Sequence, residues 1–145
     1  MLVPCRTMLR GQRILVVEDS YIVALDLAEA LEREGADVVG PVFNLDDAHR
    51  LALETQDLDA AVLDVNLRGK MVWPVADILS HRHVRLVFAT GYAAGPIKER
   101  YNLCQVAEKP TPARAVVHLL STEQPAAPHG SSNTGRAFDL YNTPS

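Results

Sequence analysis

At 145 residues the chain has room for one domain with a real hydrophobic core, and 48% apolar with 22% charged residues excludes the disordered and fibrous classes. Fourteen Lys and Arg against 18 Asp and Glu give a net charge of -4 without a long basic run, which argues against nucleic acid as the main partner. No apolar run approaches the roughly 18 residues of a membrane span, and Cys5 and Cys104 lack the spacing of a metal knuckle or a redox pair, so a reducing, cytoplasmic setting is expected.

Residues 1–12 carry no continuous apolar core or cleavage site and read as a flexible leader. Arg13-Ile14-Leu15-Val16-Val17 is a β-branched run expected to form a first strand, and it stops on Glu18-Asp19-Ser20. Ala24, Leu27, Ala28 and Leu31 then recur at helical spacing up to Gly35, with Asp19 or Ser20 as the cap. A second strand is expected over residues 37–42. Asn44 caps a second helix with Leu45, Ala48, Leu51 and Ala52 inward and two aspartates in its first turn.

The run Ala60-Ala61-Val62-Leu63 reads as a buried strand that ends on Asp64. A loop with Gly69 leads to a helix carrying Val72, Val75, Ala76 and Leu79, in whose first turn Pro74 costs no hydrogen bond. Residues 85–89 form a fourth strand ending on Thr90-Gly91, and weak periodicity with Gly95-Pro96 predicts a short helix after it. A fifth strand over 103–107 closes on Glu108-Lys109-Pro110. Thr111 as cap and Pro112 as first residue open a last helix with Ala113, Val116, Val117 and Leu120 inward. Residues 121–145 hold too little apolar surface to order themselves, apart from Phe138-Asp139-Leu140-Tyr141, which could dock on a surface.

Five strands alternating with five helices predict a parallel α/β sheet covered on both faces. In such sheets the ligand site lies beyond the carboxyl ends of the strands. Glu18, Asp19, Asp64, Thr90 and Lys109 all stand at strand ends. Acids at strand ends are often only solvated caps; it is the joint placement at four ends that marks a site. Close carboxylates repel one another, and an oxygen-only donor set suits Mg²⁺. Lys109 and Thr90 offer a charge and a hydroxyl to a phosphoryl group. Asp64, alone at its strand end, is then the natural nucleophile for phosphoryl transfer, with Glu18 and Asp19 holding the metal.

The motifs Ile14-Leu-Val-Val-Glu18-Asp19, Leu63-Asp64-Val65-Asn66, Phe88-Ala89-Thr90-Gly91-Tyr92 and Lys109-Pro110, in this order over residues 13–120, resemble the receiver domain of bacterial two-component response regulators. The Phe-Ala-Thr-Gly-Tyr run is similar to one subgroup of that family, often free-standing. The resemblance implies a flavodoxin-like three-layer fold with strand order 2-1-3-4-5, and Mg²⁺ on Glu18, Asp19, Asp64 and the Val65 carbonyl. It further implies a phosphoryl group donated to Asp64 by a sensor histidine kinase or a histidine phosphotransfer protein, and a downstream protein that reads it. A signalling protein is thus expected rather than an enzyme, acting through protein contacts or onward phosphotransfer, with no membrane partner. The alternative is a Mg²⁺-dependent phosphohydrolase, which would need a general acid two residues after the nucleophile, where this chain has Asn66. Two departures from the family pattern stand out. Val106 occupies the position where many receivers carry an aromatic switch, a role Tyr92 could share, and Leu67-Arg68-Gly69 replaces the common Met-Pro pair.

Overall fold

Strands with apolar side chains on both faces cannot leave either face in water, and here each face is covered by helices. The computed structural model describes residues 8–101 and 103–122. In chain order its elements are β1 (Arg13–Val17), α1 (Tyr21–Arg33), β2 (Asp37–Val42), α2 (Leu45–Glu54), β3 (Ala60–Asp64), β4 (Asn66–Leu67), β5 (Lys70–Met71), α3 (Trp73–His81), β6 (Arg85–Thr90), α4 (Ala94–Arg100), β7 (Gln105–Glu108) and α5 (Ala113–Ser121). Five strands form one parallel sheet in the order β2-β1-β3-β6-β7, while β4 and β5 pair only with each other. With that small ribbon left uncounted, the order is the expected 2-1-3-4-5.

Alternation along the strands divides the core in two. Leu15, Val17, Ala61, Leu63, Leu86 and Phe88 face the α2, α3 and α4 side, where they meet Ala48, Val75, Leu79 and Ile97. On the opposite face Ile14, Val16, Val62 and Val87 meet Leu27 and Leu31 of α1 and Val116 and Leu120 of α5. The inward positions read from helical spacing are recovered in α1 and α3, while Leu45, Leu51, Ala113 and Val117 are only partly buried.

Three local expectations change. Residues 8–12, expected to be loose, join the fold: Leu9 is fully buried and its N–H donates to the Glu34 carbonyl at 2.9 Å. The N-cap of α5 is Pro112, and Thr111 instead donates its hydroxyl to the Glu108 carbonyl, closing the turn before the helix. The last strand begins at Gln105, two residues later than expected; Leu103 lies at the surface and the Cys104 thiol is buried. Residues 1–7 of the expected leader and the expected tail from residue 123 lie outside the described residues.

The loop after Asp64 holds a feature that its residue types do not announce. Arg68 and Gly69 have φ of 56° and 92°, the pair of positive angles that a two-residue type I′ hairpin requires, and Asn66 Oδ1 accepts the Gly69 N–H at 2.6 Å to brace it. Asn66 pairs with Met71 and Leu67 with Lys70 across this turn.

Candidate functional site

Sheet register assembles the site. Val17 of β1 stands opposite Leu63 of β3, so the next residues, Glu18 and Asp64, emerge side by side where the strand order reverses. Asp64 is in register with Ala89, which puts Thr90 one step further along β6. Thr90 is in register with Glu108, and the following Lys109 N–H donates to the Thr90 carbonyl at 2.8 Å. Four strand ends therefore deliver their polar residues to one edge.

Glu18 and Asp64 are buried, 3% and 7% exposed, and Lys109 bridges them: its Nζ donates to Glu18 Oε1 at 2.8 Å and to Asp64 Oδ2 at 3.1 Å. A bridging ammonium is what permits two acids to be buried together. Asp19 is half-buried, and one oxygen from each of Glu18, Asp19 and Asp64 lies within 4.8 Å of the others. At that separation ionised carboxylates repel by about 3.5 kcal/mol per pair at an effective dielectric of 20. One lysine cannot offset three negative charges, and a hard divalent cation suits the remaining oxygen-only donor set.

The Asp64 carboxyl records this crowding. Burial above all, and then the Glu18 charge, push its pKa up to about 6 against the opposing pull of Lys109. Burial works to lower the Lys109 pKa, but its hydrogen bonds to Glu18 and Asp64 outweigh that and hold it above the usual lysine range. Thr90 is 1% exposed, and its Oγ1 accepts the Tyr92 N–H at 3.0 Å.

Backbone donors that residue types alone do not announce fix the acids. The Ser20 N–H donates to Glu18 Oε2 at 3.0 Å, while Ser20 Oγ caps α1 by accepting from Val23 N–H at 3.4 Å. The Arg68 N–H, at the tip of the β4–β5 turn, donates to Asp19 Oδ2 at 3.1 Å. Asn66 and Gly69 were the available signals of that turn. The Val65 carbonyl accepts the Val72 N–H at 2.9 Å, so only its second lone pair is open to a cation.

Asn66 offers no acid for hydrolysis. Its carboxamide braces the turn through Oδ1 and donates through Nδ2 to the Tyr92 hydroxyl at 3.3 Å. Val106 is partly buried beside the core, in register with Phe88. The aromatic side chains gather instead around Trp73, which lies 6.2 Å from Phe88 and 6.1 Å from Tyr101 between ring centroids. Tyr101 donates to Asp77 Oδ1 at 2.5 Å and Arg100 pairs with Asp77 at 3.0 Å, clasping the end of α4 to α3.

Beside the acids a groove of about 570 Å³ runs between α1 and α5, with Glu18, Asp64 and Lys109 at its polar end and Ile22, Val23 and Val116 along its apolar wall.

No protein-family model matches the chain. The transcriptional regulatory protein PdtaR of Mycobacterium tuberculosis is 31% identical over 90 residues, which is 61% of this chain; the chain spans less than half of that relative, 43%. SdrG from Pseudomonas melonis Fr1, solved in a BeF3-activated conformation, is 36% identical with a TM-score of 0.60, covering 75% of this chain and 92% of that one. A response regulator from Burkholderia pseudomallei, solved with a phosphorylated aspartic acid, a calcium ion and citrate, shares the fold at a TM-score of 0.63 and 22% identity, over 91% of this chain and 75% of that one. Receiver domains from other organisms share it at TM-scores of 0.64 and 0.65.

Proposed function

From the premise that the chain belongs to the response-regulator receiver domains, we propose that it is a signalling protein that accepts a phosphoryl group on Asp64 from a phosphohistidine. The donor is a sensor histidine kinase or a histidine phosphotransfer protein, and the phosphorylated form signals by binding another protein or by passing the group onward. The observation that carries this reading is the Lys109 bridge, which holds a buried Asp64 beside Glu18 at the switch point of the sheet.

The step is an in-line displacement. The Asp64 oxygen that Lys109 does not hold attacks phosphorus, an O–P bond forms, the N–P bond to the donor imidazole breaks, and the nitrogen keeps the electron pair. Lys109 follows the charge, turning from the carboxylates to an equatorial phosphoryl oxygen. Thr90 follows Ala89, the register partner of Asp64, and its hydroxyl would donate to a second such oxygen. Glu18, Asp19 and Asp64, with the Val65 carbonyl as a further donor, would hold Mg²⁺, which would supply charge neutralisation for the incoming phosphoryl group. A calcium ion accompanies the phosphorylated aspartic acid in the Burkholderia relative, which supports a divalent cation in this role. The amide at Asn66 disfavours a phosphohydrolase, because no general acid stands two residues beyond Asp64.

Incubation with Mg²⁺ and acetyl phosphate should add one phosphate, about 80 Da by intact-mass spectrometry, to the wild type and none to Asp64→Ala. Equal labelling of the two removes Asp64 as the acceptor.

A further inference from the structure

Arg68 holds a backbone conformation that its residue type disfavours. Its φ is 56°, and unlike asparagine or aspartate it has no short polar side chain to bond its own backbone there, so contacts around it must keep it in place. A residue kept in the left-handed region points to what that conformation positions. The two-residue turn between Leu67 and Lys70 leaves two N–H groups outside the strand pairing, those of Arg68 and Gly69. The Gly69 N–H donates to Asn66 Oδ1 at 2.6 Å, which fixes the shape of the turn, and the Arg68 N–H donates to Asp19 Oδ2 at 3.1 Å.

The acids of the site differ in how they are held. Glu18 takes hydrogen bonds from the Ser20 N–H and from Lys109, and Asp64 takes one from Lys109. Asp19 is the least buried of the three, and among the described residues the Arg68 N–H is the only donor to its carboxylate. The acid best able to swing into solvent thus depends on a single main-chain donor, and that donor depends on the turn that Asn66 braces. The Asn66 carboxamide is itself tied to the loop after Thr90, through Nδ2 to the Tyr92 hydroxyl at 3.3 Å.

We propose that Asn66 is a positioning residue for the divalent cation: by fixing the Arg68-Gly69 turn it keeps the Arg68 N–H on Asp19, and so sets the rotation of the carboxylate offered to the metal. The role rests on the proposed cation site at Glu18, Asp19 and Asp64. Loss of a partner that orients a metal ligand weakens the metal by about 10- to 100-fold, and Asn66 acts one hydrogen bond further out, so Asn66→Ala should weaken Mg²⁺ by about tenfold.

The test is a Mg²⁺ titration of the full chain followed in amide correlation spectra, for the wild type, Asn66→Ala, Asp19→Ala and the double variant. Asn66→Ala should weaken Mg²⁺ in the wild-type background and add nothing in the Asp19→Ala background, because a residue that acts only through Asp19 has no effect once that carboxylate is gone. Before any metal is added, the Arg68 amide proton should move upfield in Asn66→Ala and in Asp19→Ala alike, the signature of a lost hydrogen bond to a carboxylate. Gly69→Ala disturbs the same turn without touching Asn66: its added methyl meets nothing within 4 Å, but a φ of 92° resists any side chain, so Mg²⁺ should weaken there too, and this variant carries the cycle if Asn66→Ala does not fold. Tyr92→Phe should leave the affinity as it is. Wild-type affinity in Asn66→Ala and Gly69→Ala, with Asp19→Ala weakened, overturns the positioning role and leaves the cation site standing. Losses that add in the double variant overturn it in favour of a general effect on the fold, and a loss in Tyr92→Phe equal to that in Asn66→Ala overturns the route through the turn. Wild-type affinity in Asp19→Ala defeats the cation site itself, and the positioning role with it.

Discussion

Proton and cation should compete at Asp64, and the competition can be sized. The carboxyl has its pKa raised from 3.8 to about 6, chiefly by burial and then by the Glu18 charge. A raised carboxyl pKa means the folded chain holds a proton that the unfolded chain has released. For the metal-free protein, the stability this group contributes is therefore full below pH 3.8 and is lost as pH rises to about 6. A divalent cation needs the ionised form, so its apparent affinity scales with the fraction of Asp64 that is ionised. With a pKa near 6, about one carboxyl in eleven is ionised at pH 5 and about ten in eleven at pH 7, which predicts Mg²⁺ binding about tenfold weaker at pH 5, or about 1.4 kcal/mol. Isothermal titration at the two pH values measures this directly. At pH 6 each binding event should release about half a proton, seen as a dependence of the heat on buffer ionisation. Asp64→Asn should bind more weakly and lose most of the pH dependence. Equal affinity at pH 5 and pH 7 would show that Asp64 is not the protonated ligand, as would a pH dependence that survives in Asp64→Asn.

Three further outcomes follow from the packing. Lys109→Gln leaves Glu18 and Asp64 buried without their cation, so metal-free stability at pH 7.5 should fall by about 2–4 kcal/mol in urea unfolding, and Mg²⁺ should recover more stability than in the wild type. Gly40 has φ of 95°, and a Cβ there would come within 2.9 Å of the Val42 nitrogen and 3.2 Å of the Val16 carbonyl; Gly40→Ala should cost about 2 kcal/mol or more by the same assay. Tyr101→Phe removes the hydroxyl that donates to Asp77 and should cost about 1–2 kcal/mol, with faster amide exchange confined to α4 if the clasp holds that helix.

Most of the frame is legible because its signals are strong ones. Runs such as 14–17 and 60–63 have no place except inside a covered sheet, and Ser20 and Asn44 cap their helices by the hydrogen bonds their side chains were expected to accept. The site follows from the frame, since strand ends in a parallel sheet converge whatever the spacing in sequence. What residue types do not reveal depends on backbone geometry. Arginine is not a residue that announces a left-handed conformation, so residue types alone mark Arg68-Gly69 as no more than a loop. Thr111 resembles a cap in type, but its hydroxyl bonds backwards to Glu108, and Pro112 takes the cap position in extended conformation. Leu9 lies outside any periodic run, so nothing in its neighbourhood signals that it fills the end of the core beneath α1.

The hold on Asp19 by the Arg68 backbone separates two kinds of change that the ribbon can undergo over evolutionary time. Because the donor is a main-chain N–H, the residue at position 68 can change among those that accept a positive φ, proline excepted, without disturbing the acid. The length of the turn is not free. One residue more or fewer between Asn66 and Met71 would shift the β4–β5 pairing and carry the N–H away from the carboxylate. The ribbon therefore tolerates such substitution and resists insertion, and a receiver that lacks the usual residues after this aspartate can still keep its acids in place.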